Sequence, residues 1–256
     1  QAVDPPAPSL RGHAPLFTSP EQDVVLDSIH ARVESAGNLG VGIFDLDGCL
    51  FDNRRRQVRI LRELASQTGW SSLYRVRPEH ILDWDLRASL ARAGVSEAFL
   101  EEHYGTVRGH WFRCFFRSEF CRYDHAMPGA AELVRRCARA GLAIVYLTAR
   151  HEEMRSGTEQ SLRDFGFPVG RPRISLMLKP TFYGDDIAYK DEMAMASRAW
   201  GEPVLFLDNE PRNVNHYREH FPEALTVFVD TDHSPDPTPP HPDLARIRGF
   251  LRTTEL

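Results

Sequence analysis

The chain has 256 residues, 42% hydrophobic and 26% charged. Those proportions are expected of a soluble, globular α/β domain, or of a core carrying a smaller insertion. Its longest apolar runs, such as 142–147 and 204–207, are too short to cross a bilayer. The formal net charge of -5 argues against general nucleic-acid binding through many phosphate contacts and leaves a local basic patch open. Cys49, Cys114, Cys121 and Cys137 form no C-x-x-C pair, so reduced, buried thiols are expected in a reducing compartment. The expected location is cytoplasmic; because the sequence starts at Gln1, a trimmed start or an exported mature form stays open.

In chain order, residues 1–17 are rich in Pro and Ala without helical or strand period, and residues 1–18 read as an extended or disordered arm. Ser19-Pro20-Glu21-Gln22 predicts a helix start, with Ser19 as N-cap, Pro20 in the first turn and Gln22 closing a capping box. Leu26, Ile29 and Val33 then form a stripe that ends at Gly37. Residues 41–44 are a short apolar strand running into Asp45-Leu46-Asp47-Gly48. Residues 143–147, 204–207 and 225–229 repeat that strand pattern, and 173–178 offers a further strand. Helices are expected at 129–139, 156–165, 191–200 and 213–220.

This alternation predicts a Rossmann-like, doubly wound and mostly parallel sheet. Residues 51–127 interrupt it with helical periodicity in 58–64, 81–90 and 99–116. The expected organisation is a core of 19–50 and 128–256 with an all-helical cap inserted at 51–127. The Pro-rich stretch 234–242 reads as a surface turn or linker.

Two carboxylates, Asp45 and Asp47, stand at the end of a buried strand, where burial is costly unless a cation or hydrogen-bond donors compensate them. Gly48 permits a sharp turn directly after them. Thr148 follows the second apolar strand, Asp208 the third, and Lys190 is read as lying just before a helix. In a doubly wound sheet these positions converge on one crevice.

Together these segments resemble the haloacid dehalogenase-like (HAD) superfamily, over residues 41–230. The motifs are Ile43-Phe44-Asp45-Leu46-Asp47-Gly48-Cys49-Leu50, Val145-Tyr146-Leu147-Thr148-Ala149-Arg150, the lone Lys190, and Phe206-Leu207-Asp208-Asn209-Glu210. The resemblance implies a phosphatase with a helical cap, in which Asp45 attacks phosphorus and Asp47 serves as general acid and base. The resembling dehalogenases lack an acid at the place of Asp47, so its presence favours phosphoryl transfer. Mg²⁺ is the implied cofactor, held by the carboxylates of Asp45 and Asp208 and the backbone carbonyl of Asp47. Thr148, the Ala149 backbone N–H and Lys190 are implied to hold the phosphate, with Lys179 as competitor to Lys190. The chain departs from the commonest pattern at Asp208-Asn209, where many relatives carry two acids. Asn209 and Asn213 are then candidates for hydrogen-bonding metal-bound water, and Glu210 for partial compensation.

Arginines crowd the insertion: Arg54, Arg55, Arg56 and Arg59 follow the first motif, and Arg113, Arg117 and Arg122 sit among aromatic residues, with His110 nearby. Arg54, Arg55, Arg56, Arg113 and Arg117 are candidates for gripping an anionic or aromatic leaving group, against the plainer reading of solvated helix faces. A looser resemblance covers 148–190: Thr148-Ala149-Arg150, Thr158, Leu162, 176–180 and Tyr189-Lys190 look like the phosphatase module of polynucleotide kinase-phosphatases. The expected partner is a small phosphorylated substrate, without membrane or general nucleic-acid binding. The alternatives are a phosphomutase or phosphotransferase, a nucleotide or nucleic-acid-end phosphatase, and, from a different class, a non-enzymatic scaffold.

Overall fold

A computed structural model describes residues 17–235 and 238–255. The expected arm, except Phe17 and Thr18, lies outside the described residues. Helix α1 (Pro20–Ala36) begins as anticipated, with the Ser19 hydroxyl accepting from the Gln22 N–H at 3.1 Å. The predicted capping box is not made. The Gln22 amide instead donates to the carbonyls of Phe17 and Leu251 and accepts from the N–H groups of Arg248 and Gly249. A buried side chain with distant backbone partners ties the helix to the chain's end in place of its own cap.

Strand β1 (Gly40–Phe44) is followed by the two-residue β2 (Phe51–Asp52), then helices α2 (Arg54–Thr68), α3 (Leu86–Arg92) and α4 (Glu97–Phe115) and the short β3 (His125–Ala126). The core resumes with α5 (Ala130–Arg139), β4 (Ala143–His151), α6 (Arg155–Asp164), β5 (Ile174–Lys179), α7 (Asp186–Ala196), β6 (Glu202–Asp208), α8 (Pro211–His220), β7 (Leu225–Val229) and β8 (Ala245–Ile247). The main sheet has the order β5-β4-β1-β6-β7-β8, and every pairing in it is parallel. The chain runs outward from β1 through β4 to β5, then returns to the other side of β1 with β6. The direction of winding thus reverses beside β1, which puts a crevice at its carboxyl end.

Alternate residues of the strands feed two cores. Phe44, Ile144, Tyr146, Leu205 and Leu207 pack with Leu26, Ile29 and Val33 of α1 and Leu133 and Val134 of α5. Val41, Ile43, Val145, Leu147 and Phe206 face α7 and α8. On that side Phe206 stacks on Tyr217 with ring centroids 4.4 Å apart, and burying such a side chain contributes about 1.5–3 kcal/mol. Helices on both faces explain why these strands read as continuous apolar runs.

Helices α2, α3 and α4 surround a separate cluster that includes Leu61, Leu64, Leu73, Leu90 and Val107. β2 and β3 pair antiparallel where this helical segment leaves and rejoins the core. Two-residue strands carry no readable period, so neither was anticipated. β8 was missed as well: Ala245-Arg246-Ile247 has no apolar run, and only its place beside β7 makes it a strand. Two further boundaries differ from expectation. β4 continues through His151, so Thr148 lies within the strand and not at its end. α7 starts at Asp186, capped by the Asp185 side chain on the Ala188 N–H, so Lys190 sits inside the helix rather than before it. None of the described helices is long and apolar enough to cross a membrane.

Candidate active site

The carboxyl ends of β1 and β6 are tied together by the Asp45 N–H, which donates to the Leu207 carbonyl at 2.9 Å. This brings Asp45 and Asp208, 163 positions apart in sequence, to the same spot. Both are buried, and the Lys190 ammonium donates to Asp45 Oδ1 and to Asp208 Oδ2 at 2.7 Å each. The second oxygen of Asp208 accepts from the Glu210 N–H at 2.9 Å, and Asn213 Nδ2 adds a bond to Oδ2 at 3.0 Å. Gly48 has φ +77 and turns the chain immediately after Asp47; a Cβ there would run into the Asn209 side chain and the Asp232 carbonyl.

Burial and the neighbouring Asp208 charge raise the pKa of Asp45, against the pull of Lys190. Lys190 itself stays firmly protonated: burial works to lower its pKa, but the two carboxylates outweigh that and raise it. With both carboxylates ionised their single ammonium leaves one negative charge uncompensated, and a further cation would relieve it. The donor chemistry fits Mg²⁺, which prefers oxygen ligands: Asp45, Asp208 and the Asn209 side-chain oxygen, which is buried without a hydrogen-bond partner among the described residues. The Asn209 amide nitrogen is already engaged with the Asp232 carbonyl at 2.7 Å.

Asp47 turns to the other side of the crevice, into a second charge cluster. Arg150 donates to both of its oxygens, Nε to Oδ2 at 2.7 Å and Nη2 to Oδ1 at 2.8 Å, and Arg56 Nη2 reaches Oδ1 at 2.8 Å. The same two guanidiniums hold Asp124: Arg56 at 2.7 Å to each oxygen and Arg150 at 2.8 Å. Arg56 is completed by the Phe115 carbonyl and Arg150 by the Thr158 hydroxyl. Burial works to raise the pKa of Asp47, but Arg150 and Arg56 prevail and hold it well below the usual carboxylate range. Asp124 is wholly buried, and there burial, aided by the Asp47 charge, outweighs the arginines and raises its pKa.

Two cations facing two anions make this interior cluster neutral overall, the condition under which such burial is tolerated. Arg56 lies in the first turn of α2, where the helix dipole disfavours a cation, and the two aspartates offset that. The sequence placed Arg56 among candidates for gripping substrate, against a solvated helix face; it is no solvated face, since it lines the cavity as a fully buried partner of Asp47. Arg150 stood in the second motif without a role. Asp124 gave no signal at all, because only folding brings β3's approach beside α2 and β4.

Thr148 and Ala149 line the same cavity, and the Thr148 hydroxyl accepts from the Arg150 N–H at 3.2 Å. Lys179 also lines the cavity, but it donates to Asp186 and the carbonyls of Phe182 and Gly184, whereas Lys190 is the partner of Asp45. Glu210, also on the cavity wall, accepts from the Ser234 N–H at 2.9 Å and from the Ser234 hydroxyl at 2.6 Å, one bond to each carboxylate oxygen. Among the remaining arginine candidates, Arg54 is paired with Asp52. Arg55 and Arg113 are exposed, and Arg117 is an exposed partner of Glu119; none of these four lines the cavity. The cavity encloses about 670 Å³, with Trp84, Phe115, Phe116, Phe182 and Tyr183 at its walls. Phe116 of the helical segment meets Phe182 of the β5–α7 loop edge to face at 4.8 Å.

No protein-family model and no curated relative matches the chain. Solved structures similar to it include the protein tyrosine kinase A of Mycobacterium tuberculosis, 16% identical, with 82% of this chain and 93% of that one covered and a TM-score of 0.49. A HAD-superfamily hydrolase of subfamily IA, variant 1, from Geobacter sulfurreducens is 15% identical over 84% and 94%, TM-score 0.49. A HAD-superfamily hydrolase from Ehrlichia chaffeensis is 14% identical over 82% and 91%, TM-score 0.48. Likeness at this level does not transfer an activity.

Proposed function

We propose that the chain is a phosphoric monoester hydrolase of the HAD-like kind, using Mg²⁺ and an aspartyl-phosphate intermediate. The observation that supports this reading best is the meeting of Asp45 and Asp208 on Lys190, with Asp47 in the same cavity. An unassisted phosphate monoester hydrolyses extremely slowly, so positioning and charge stabilisation must supply most of the rate. Asp45, Asp208 and the Asp47 backbone carbonyl would hold Mg²⁺, with Asn209 beside them, and the bound ion would supply positive charge toward the transferring phosphoryl group.

Asp45 attacks phosphorus, forming a P–O bond to its carboxylate as the bond to the leaving oxygen breaks. Lys190 reduces the repulsion between this carboxylate and the dianionic phosphate. Thr148 and the Ala149 N–H hold the non-transferring oxygens. Asp47 gives a proton to the leaving alkoxide; it then takes one from a water whose oxygen bonds to phosphorus as the bond to Asp45 breaks, which frees inorganic phosphate and the Asp45 carboxylate. In the resting site the arginines keep Asp47 ionised; a phosphate dianion placed beside it acts in the opposite sense and raises its affinity for a proton. The helical segment 51–127 serves as the cap that excludes water.

A Mg²⁺-supplemented panel of phosphate esters tests the reading. Inorganic phosphate release, abolished in Asp45→Asn with the fold unchanged by circular dichroism, is the expected result. Asp47→Asn should lose far more rate on alkyl than on p-nitrophenyl esters, whose leaving group needs no proton. Retained turnover in Asp45→Asn would overturn the nucleophile assignment. An isomerised phosphoester without phosphate release would identify a mutase instead. A nucleotide or nucleic-acid-end phosphatase is a second reading, favoured by the aromatic walls of the cavity, on which a nucleobase can stack.

A further inference from the structure

On the outer side of α7 and α8, away from the cavity, Asp191, His216 and His220 each bring one ligand atom within 4.8 Å of the others. His216 and His220 are one helical turn apart on α8 and so project from one face, and their ring centroids lie 3.9 Å apart. Asp191 reaches across from α7, its Oδ1 lying 2.7 Å from His216 Nε2. His220 Nδ1 donates to the His216 backbone carbonyl at 3.0 Å. That bond fixes the proton on Nδ1 and leaves the Nε2 lone pair free, the arrangement by which metal-ligating histidines are commonly oriented.

We propose that Asp191, His216 and His220 form a second metal site, specific for a borderline divalent transition ion such as Zn²⁺ or Co²⁺. Two imidazoles and one carboxylate suit those ions, whereas Mg²⁺ prefers oxygen alone. Three protein ligands leave a fourth, tetrahedral position to water. An ion here replaces the proton shared between His216 and Asp191 and sits beside two imidazoles inclined at 35° to each other. Its position couples it to the cavity. Asp191 directly follows Lys190, and His216 lies one turn beyond Asn213, and both Lys190 and Asn213 donate to Asp208. A bound ion therefore cross-links the two helices that present those donors.

The test uses the whole chain, stripped with chelator and held in millimolar Mg²⁺ so that the oxygen-lined cavity is supplied with its preferred ion. Titration with Co²⁺, followed by visible absorption, and with Zn²⁺, followed by calorimetry, should give one ion per chain. Saturating Zn²⁺ should raise the melting temperature by several degrees, since a ligand bound only to the folded state stabilises it. His220→Ala, at an exposed position, and Asp191→Asn should each weaken binding at least tenfold and remove the thermal shift. Binding that is unchanged in both variants, or no Co²⁺ uptake by the wild type in Mg²⁺, would overturn the site.

Discussion

Arg56 and Arg150 show how much a single buried side chain can carry. Each compensates two carboxylates, so removing one guanidinium leaves Asp47 and Asp124 facing each other with half their counter-charge. Breaking a buried ion pair by deleting one partner typically costs about 3–5 kcal/mol, so Arg56→Ala should lower stability by that order in urea unfolding. Arg150→Lys keeps the charge but not the fork that reaches both oxygens of Asp47; it should retain more stability than Arg150→Ala while losing turnover. Asp232 gives a pH-dependent readout at the same scale. Burial, aided by the Asp52 charge and opposed by Arg54, raises its pKa to about 6. The folded state therefore keeps a proton that the unfolded chain releases, and this group's contribution is present below its ordinary 3.8 and lost as pH rises through about 6. Asp232→Asn should flatten that part of the difference in melting temperature between pH 4 and pH 7.

At the scale of elements, the junction of α6 with the turn that precedes β3 decides the sign of a substitution that propensity alone would get wrong. Gly157 sits inside α6, where Ala is favoured by about 1 kcal/mol. A Cβ there would lie 1.9 Å from the Ser118 carbonyl oxygen, and the Gly157 N–H donates to the Ser118 hydroxyl at 2.8 Å. Overpacking against backbone costs about 1–3 kcal/mol, so Gly157→Ala should destabilise, measurable as a lower melting temperature. The strands and flanking helices of the core were legible because each is a short apolar run or a stripe of period near 3.6, set off by caps and glycines. β2, β3 and β8 were not, since pieces of two or three residues become strands only through their neighbours.

For the molecule as a whole, the cavity draws its walls from both the core and the helical segment: Asp45, Thr148 and Lys190 from one, Trp84, Phe115 and Phe116 from the other. If that cavity receives a flat leaving group, truncating the exposed Tyr183 at its mouth should raise KM for aryl or nucleoside phosphates several-fold. KM for small alkyl phosphates should change little, and steady-state kinetics on matched esters checks this. Chelation of divalent ions should abolish phosphate release, and Mg²⁺ should restore it. The sequence alone determined the parallel core, because strand periodicity is a local signal, and it nominated Asp45, Asp47, Thr148, Lys190 and Asp208 through the motifs that carry the resemblance. It left Lys179 in competition with Lys190 and Arg56 between a grip on substrate and a solvated helix face. Only the tertiary structure settled those placements and recruited Asp124, because charge compensation in a buried cluster depends on residues brought together in space, and no spacing along the chain records that.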